Sequence, residues 1–137
     1  METQLNFRTE KKIEHDFDDS VKGKALFKII FGILKEWGLT QEELASLVHR
    51  RPTTISEWKR KESISVSKDL DMNDYQLLEF IELYKILTNL FVSTKDRVSW
   101  LREPNAGLGN NAPLELIKTD PRNLHNIRLL MSKIANP

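Results

Sequence analysis

Apolar residues recur every three or four positions along most of the chain, which is the spacing of amphipathic helices and predicts an all-α protein. One such stripe begins after Ser20, which can cap a helix, and ends before Gly38, a residue type common just beyond a helix C-terminus. Residues 1–19 lack a sustained stripe, and acidic residues outnumber basic ones among them. We therefore expect residues 1–19 to form a flexible acidic arm and the first long helix to begin near Ser20.

The stretch Thr40–Arg60 predicts two short helices joined by a tight turn. Thr40 and Glu43 have the spacing of a capping box, and Pro52 suits the first position of a second helix. The apolar residues that would close the second helix onto the first are Ile55 and Trp58. This layout is typical of a helix-turn-helix, whose second helix enters the major groove of DNA. We predict such a domain over residues 20–66, although an ordinary helical hairpin, or a helix-turn-helix that no longer binds DNA, would share the apolar spacing.

The overall charge is only +1, but its distribution along the chain favours binding to nucleic acid. Residues 50–62 are basic and bracket the proposed recognition helix, where DNA phosphates would lie. A solvated charged face explains the same charges about as well. Threonine and glutamate side chains can read base edges, whereas amide and cationic groups suit phosphates. The candidate DNA-binding residues are Gln41, Arg51, Thr53, Thr54, Glu57, Lys59 and Arg60.

Residues 67–137 are predicted to form a helical domain for dimerisation and partner binding. A long helix starting near Asn73 is apolar almost all round, so either the rest of the chain or a second copy must cover it. A homodimer would also suit a helix-turn-helix that reads paired half-sites. The last helix is expected to be capped by Asp120, with Pro121 at its first position. The residues expected to open the two short helices before it are Thr94 and Pro113.

Composition excludes several classes of function. The chain has no cysteine, which rules out disulfides and thiolate metal sites. No apolar run reaches membrane-spanning length, and the N-terminus lacks the apolar core of a signal peptide, so a cytoplasmic protein without membrane contact is the default expectation. The three histidines are scattered, and no motif indicates catalysis. We expect no enzyme activity, no metal and no cofactor.

Residues 99–137 resemble the C-terminal toxin-binding domain of the Xre/MbcA/ParS antitoxin family. The matching elements are Trp100-Leu101, the turn Arg102–Asn105, Leu108-Gly109, Pro113-Leu114, Leu116 and a final helix to Ile134. A helix-turn-helix in front is also the family's arrangement, so the resemblance extends over about Lys24 to Asn136. In the turn between the two helices of the helix-turn-helix, His49 and Arg50 stand where the family usually has a glycine followed by an apolar residue. Asn110 replaces a loop glycine and can adopt the left-handed conformation that such a glycine would need.

The resemblance implies an antitoxin of a type II toxin–antitoxin system. Its partner would be a RES-domain toxin, a protein that degrades NAD, and the antitoxin would cover the toxin's active site and repress its own operon through double-stranded promoter DNA. The alternatives are a stand-alone helix-turn-helix transcriptional regulator and a ParS-like adaptor without a toxin. The residues placed at or near the toxin are Trp100, Leu101, Arg102, Asn105, Leu108, Pro113, Lys133 and Ile134.

Overall fold

Two long helices and several short ones pack together in a computed structural model that describes residues 2–66, 69 and 71–137, with side chains from residue 19 onward. The predicted all-α class is confirmed. In chain order the elements are α1 (Glu2–Trp37), α2 (Gln41–Val48), α3 (Pro52–Lys61), α4 (Met72–Leu90), α5 (Thr94–Arg102), a short 3-10 helix (Ala106–Leu108), α6 (Pro113–Thr119) and α7 (Asn123–Ala135).

The first helix, α1, is longer than the apolar pattern predicts. It begins at Glu2 rather than near Ser20, so the backbone is helical through the segment expected to be an arm. Apolar periodicity marks only the part of a helix that is buried, and the glutamates and lysines of this segment are good helix formers without it. The side chains before residue 19 lie outside the described part. The predicted helix end is confirmed, because Gly38 follows α1 with a left-handed φ of 62°.

The capping and turn features that the sequence predicts for α2 and α3 are confirmed. The Thr40 hydroxyl accepts a hydrogen bond from the backbone N–H of Glu43, whose carboxylate accepts one from the N–H of Thr40, both at 3.0 Å. His49 takes the left-handed conformation at the turn, with φ of 53°, and Asn110 takes it with φ of 63° in the C-terminal loop. Pro52 is the first residue of α3. These positions need no glycine to make the turns.

Two helix starts differ from the prediction. Ser93 rather than Thr94 caps α5, and its hydroxyl accepts a backbone N–H from the first turn. The last helix, α7, begins at Asn123 instead of directly after Asp120. The reason is that the Asp120 carboxylate accepts hydrogen bonds from the backbone N–H and the guanidinium of Arg122, at 3.0 and 2.8 Å, and so closes a local turn.

One contiguous cluster of buried residues joins the helix-turn-helix to the C-terminal helices. The helix α2 packs on α3, α4 and α6, and α4 packs on α7, α2 and α1. The chain itself therefore covers the long apolar helix α4 on several sides. The buried members of α4 are Asp74, Leu77, Phe80, Leu83, Ile86 and Leu87, while Met72, Tyr75 and Leu78 remain exposed.

Candidate binding surfaces

An apolar cleft lies at the C-terminal end of the fold, and we call it the C-terminal cleft. It has a volume of about 460 Å³ and forms where the ends of α4 and α7 meet α5 and the 3-10 helix. Two of its lining residues on α7 are substantially exposed, Leu130 at 42% and Ile134 at 56%. The residues that line the cleft are Leu90, Phe91, Trp100, Asn105, Gly107, Leu108, Leu130, Met131 and Ile134.

Four of the eight residues placed near a toxin by the sequence converge on this cleft. They are Trp100, Asn105, Leu108 and Ile134. The Asn105 side chain also shapes the wall, since its Oδ1 accepts a hydrogen bond from the N–H of Gly107 at 2.8 Å and fixes the loop between α5 and α6. The sequence pattern does not single out the contributions of Leu90 and Phe91, which lie at the end of α4 and more than thirty positions before α7 begins.

The other candidates occupy different positions. Leu101 has no exposed surface and Pro113 is buried, so in this structure they lie beneath the surface, and their predicted role near the toxin could only be to support it. Trp100 and Leu101 are neighbours on one helix and point about 100° apart, so only one of them can face the cleft. Lys133 is exposed but does not line the cleft.

Arg102 forms hydrogen bonds to other residues of the same chain. Its guanidinium forms a two-pronged ion pair with the Glu43 carboxylate, at 2.8 and 3.0 Å, and donates to the carbonyl of Gly38 at 3.0 Å. The Lys118 ammonium approaches the same carboxylate at 3.5 Å. The Arg102 hydrogen bonds, together with the Thr40 N–H and the two positive charges, lower the pKa of Glu43 to about 2. Three of this guanidinium's hydrogen bonds are therefore already formed without a partner protein.

The helix α3 exposes most of the predicted DNA-binding residues. The exposed ones are Arg51, Thr53, Glu57, Lys59 and Arg60, whereas Gln41 and Thr54 are partly buried. Glu57, a candidate for contact with a base edge, accepts a hydrogen bond from Arg60 at 3.2 Å and pairs with Lys61 at 3.2 Å. These pairs lower the pKa of Glu57, Lys61 having the larger effect, and they neutralise part of its repulsion of phosphates.

Arg50, which the charge distribution counts toward the basic surface, is instead paired beneath it. Its guanidinium lies 3.2 Å from a carboxylate oxygen of buried Asp74 and 5.7 Å from the centre of the Trp58 ring. Asp74 also accepts the N–H of Asp71 at the start of α4. The positive surface near α3 therefore rests on Arg51, Lys59, Arg60 and Lys61.

Metal-ligand clusters and membrane-spanning helices are both absent from the described part of the chain. No group of three or more possible metal ligands occurs among the described side chains. Within the same part of the chain, no helix is long and apolar enough to cross a membrane.

Two family models match the chain. The first, the antitoxin Xre-like helix-turn-helix domain, matches residues 16–70, and the second, the antitoxin Xre/MbcA/ParS C-terminal toxin-binding domain, matches residues 87–128. The chain belongs to the Xre/MbcA/ParS antitoxin family. It is an antitoxin of a toxin–antitoxin system, with a helix-turn-helix domain followed by a toxin-binding domain. The second match includes Trp100, Asn105 and Leu108 and ends before the exposed cleft residues of α7.

A solved structure supports the same fold. A chain in the crystal structure of the M. tuberculosis MbcT–MbcA toxin–antitoxin complex is similar, with a TM-score of 0.55 and 21% sequence identity. The match covers 80% of this chain and 93% of that one. At this identity the likeness concerns the fold. No curated protein matches the chain.

Proposed function

We propose that this antitoxin neutralises a RES-domain, NAD-degrading toxin by covering its active site, and that it represses its own operon through DNA binding by α3. Both activities belong to the cytoplasm and require no chemistry from the antitoxin. The observation that supports the toxin part is the convergence of four predicted residues on the C-terminal cleft.

The C-terminal cleft has the character of a protein-binding surface. Aromatic and aliphatic side chains that fill or line a pocket usually carry most of the energy of an interface. Here Trp100 is half-buried against the core, which holds its ring in place, while Leu130 and Ile134 leave large apolar areas open to solvent. A toxin segment that presents an apolar side chain to this cleft would bury these areas and exclude water from them.

A matched pair of leucines on α7 tests the toxin part. Leu130 lines the cleft and is 42% exposed, whereas its neighbour Leu129 is 39% exposed and does not line it. The protein, tagged at its N-terminus, is recovered from its native cells with bound partners. We expect a partner that depletes NAD when expressed alone, and recovery reduced at least about tenfold by Leu130→Asp but not by Leu129→Asp.

The other outcomes of this recovery distinguish the alternatives. An equal loss of the recovered partner with Leu130→Asp and Leu129→Asp would contradict the proposed role of the cleft. Promoter DNA recovered without a protein partner would favour a stand-alone regulator. A bound protein that is harmless when expressed alone would favour a ParS-like adaptor.

The DNA part rests on the exposed surface of α3. Arg51, Lys59 and Arg60 are exposed and would contact phosphates, and the exposed Thr53 would offer its hydroxyl and methyl groups to base edges. Gln41 and the first N–H groups of α2 would contact the backbone beside them. We propose a homodimer for this activity, because two copies related by a two-fold axis read paired half-sites.

The salt dependence of binding to a labelled duplex from upstream of the antitoxin's own gene tests this part. Three cationic contacts predict a log–log slope of roughly −3 per bound subunit. Arg51→Gln should lower the slope by about 1, whereas Lys133→Gln, which removes the same charge from α7, should leave it unchanged. Sedimentation of the bound complex counts the subunits. A flat dependence on salt would contradict direct DNA binding.

A further inference from the structure

Arg102 belongs by sequence to the toxin-binding region, yet its hydrogen-bond acceptors lie in the helix-turn-helix. The guanidinium contacts both carboxylate oxygens of Glu43 and the carbonyl of Gly38. We infer that Arg102 is a positioning residue that holds the DNA-contacting end of α2, and that it is not a toxin contact. This inference rests on the proposed DNA binding.

The acceptors of Arg102 lie on both sides of the short connection between α1 and α2. Gly38 comes directly after α1, and Glu43 lies in the first turn of α2, where it also accepts the N–H of Thr40. One guanidinium therefore fixes the start of this connection and its end. Lys118 of α6 adds a second positive charge to the same carboxylate at 3.5 Å. The orientation of the first turn of α2 thus depends on side chains from α5 and α6.

This turn is where α2 would meet a phosphate. Hydrogen bonds from Gln41 and from backbone N–H groups depend steeply on distance and angle, so a small rotation of the turn weakens them together. The turn also carries two carboxylates, of Glu42 and Glu43, and the second of these is neutralised by Arg102 and Lys118. Arg102 could support DNA binding by holding this turn in position or by neutralising the charge of Glu43. These two explanations predict opposite effects of Glu43→Gln on the affinity for DNA.

The first test compares Arg102→Gln with Arg122→Gln. Both remove one positive charge, but Arg122 is 88% exposed and pairs only with Asp120 among the contacts described for it. With the labelled upstream duplex, we expect Arg102→Gln to weaken binding about five- to tenfold and Arg122→Gln to leave it within about twofold. Recovery of the toxin partner should be unchanged by both. Equal DNA affinity for the two variants, or loss of the partner with Arg102→Gln alone, would overturn the inference.

The second test is Glu43→Gln, which separates position from charge. Glutamine can still accept the Thr40 N–H and preserve the capping box, but it loses the ion pair with Arg102. Removing a negative charge would by itself strengthen binding to DNA. We expect weaker binding, because the turn is no longer held, and Arg102→Lys should bind with intermediate affinity. Tighter binding by Glu43→Gln would overturn the inference. If the unaltered protein failed to bind the duplex, that result would contradict the proposed DNA-binding function itself.

All comparisons are made at a temperature where circular dichroism shows each variant to be fully folded. A merely structural role for Arg102 would lower the unfolding temperature and weaken DNA and toxin binding together. Selective loss of DNA binding at full folding is the result that the inference requires.

Discussion

At the scale of single residues, a buried ion pair explains how the turn of the helix-turn-helix accepts an arginine. Arg50 stands where this family usually has an apolar residue, and burying a charge there without a partner would be costly. The Asp74 carboxylate, 3% exposed, lies 3.2 Å from the guanidinium, and the Trp58 ring lies 5.7 Å from it. The charge of Arg50 in the turn is thus compensated by Asp74 of α4.

We expect Asp74→Asn to destabilise the protein by about 3 kcal/mol, because it leaves the Arg50 charge mostly buried without its counter-charge. Asparagine can still accept the N–H of Asp71, so the start of α4 is kept. Urea unfolding followed by circular dichroism measures the change. The matched control, Glu82→Gln, breaks an exposed ion pair with Lys85 and should cost less than about 1 kcal/mol. Similar losses for the two variants would contradict a stabilising role for the buried pair.

At the scale of an element, the side of α1 that faces the end of the helix-turn-helix is closely packed at Gly23. A Cβ atom there would lie 2.5 Å from the Ser63 hydroxyl and 2.9 Å from the Ile64 carbonyl, and the N–H of Ile64 donates to the Gly23 carbonyl. The chain after α3 thus lies directly against α1. Gly32, on the same helix, has no such neighbour within 4 Å.

We therefore predict opposite effects for the same substitution at these two glycines. Gly32→Ala should stabilise the protein by roughly 0.5–1 kcal/mol, since alanine is the better helix former and meets nothing. Gly23→Ala should destabilise it by about 1–3 kcal/mol, because the clash with backbone outweighs that gain. Thermal unfolding of both variants measures the effects. Stabilisation by both would show that α1 does not pack closely on residues 63 and 64.

The first turn of α2 provides a prediction about pH. The folded-state pKa of Glu43 is about 2, below the ordinary value of 4.5, so its ionised form stabilises the fold. This contribution is fully present above about pH 4.5 and is lost as the pH falls toward 2. The difference in unfolding free energy between the unaltered protein and Glu43→Gln should therefore be constant near neutral pH and shrink in this acidic range. A difference that does not change with pH would contradict the ion pair with Arg102.

The elements also show which features a sequence can predict. Caps and turns depend on residues within four positions of one another, so the capping box at Thr40, Pro52 at a helix start and the left-handed His49 could all be predicted. Arg50 and Asp74 are 24 positions apart, and Arg102 and Glu43 are 59 apart, so their pairing depends on how the helices pack. The cleft could be predicted in part, through Trp100 and Ile134, because the family pattern marks them. The burial of Leu101 could have been anticipated from its place beside Trp100 on one helix.

At the scale of the whole molecule, polar bridges accompany the shared core between the helix-turn-helix and the C-terminal helices. The Gln76 side chain of α4 donates to the carbonyl of Leu47 in α2 at 3.0 Å and to that of Pro121, before α7, at 2.9 Å. These contacts, with those of Arg50 and Arg102, connect α2 and the turn after it to α4 and α5. The proposed surfaces for DNA and for the toxin are therefore parts of one packed structure.

A fragment containing residues 19–66 alone should consequently fail to fold. It would expose the faces of α2 that pack on α4 and α6, and so short a chain buries too little apolar surface without them. We expect the fragment to show weak helical circular dichroism and no cooperative thermal transition, whereas the full chain unfolds in a single one. DNA binding by the fragment should be lost with the fold. A fragment that unfolds cooperatively and binds the upstream duplex as tightly as the full chain would show that the helix-turn-helix is independent of the C-terminal helices.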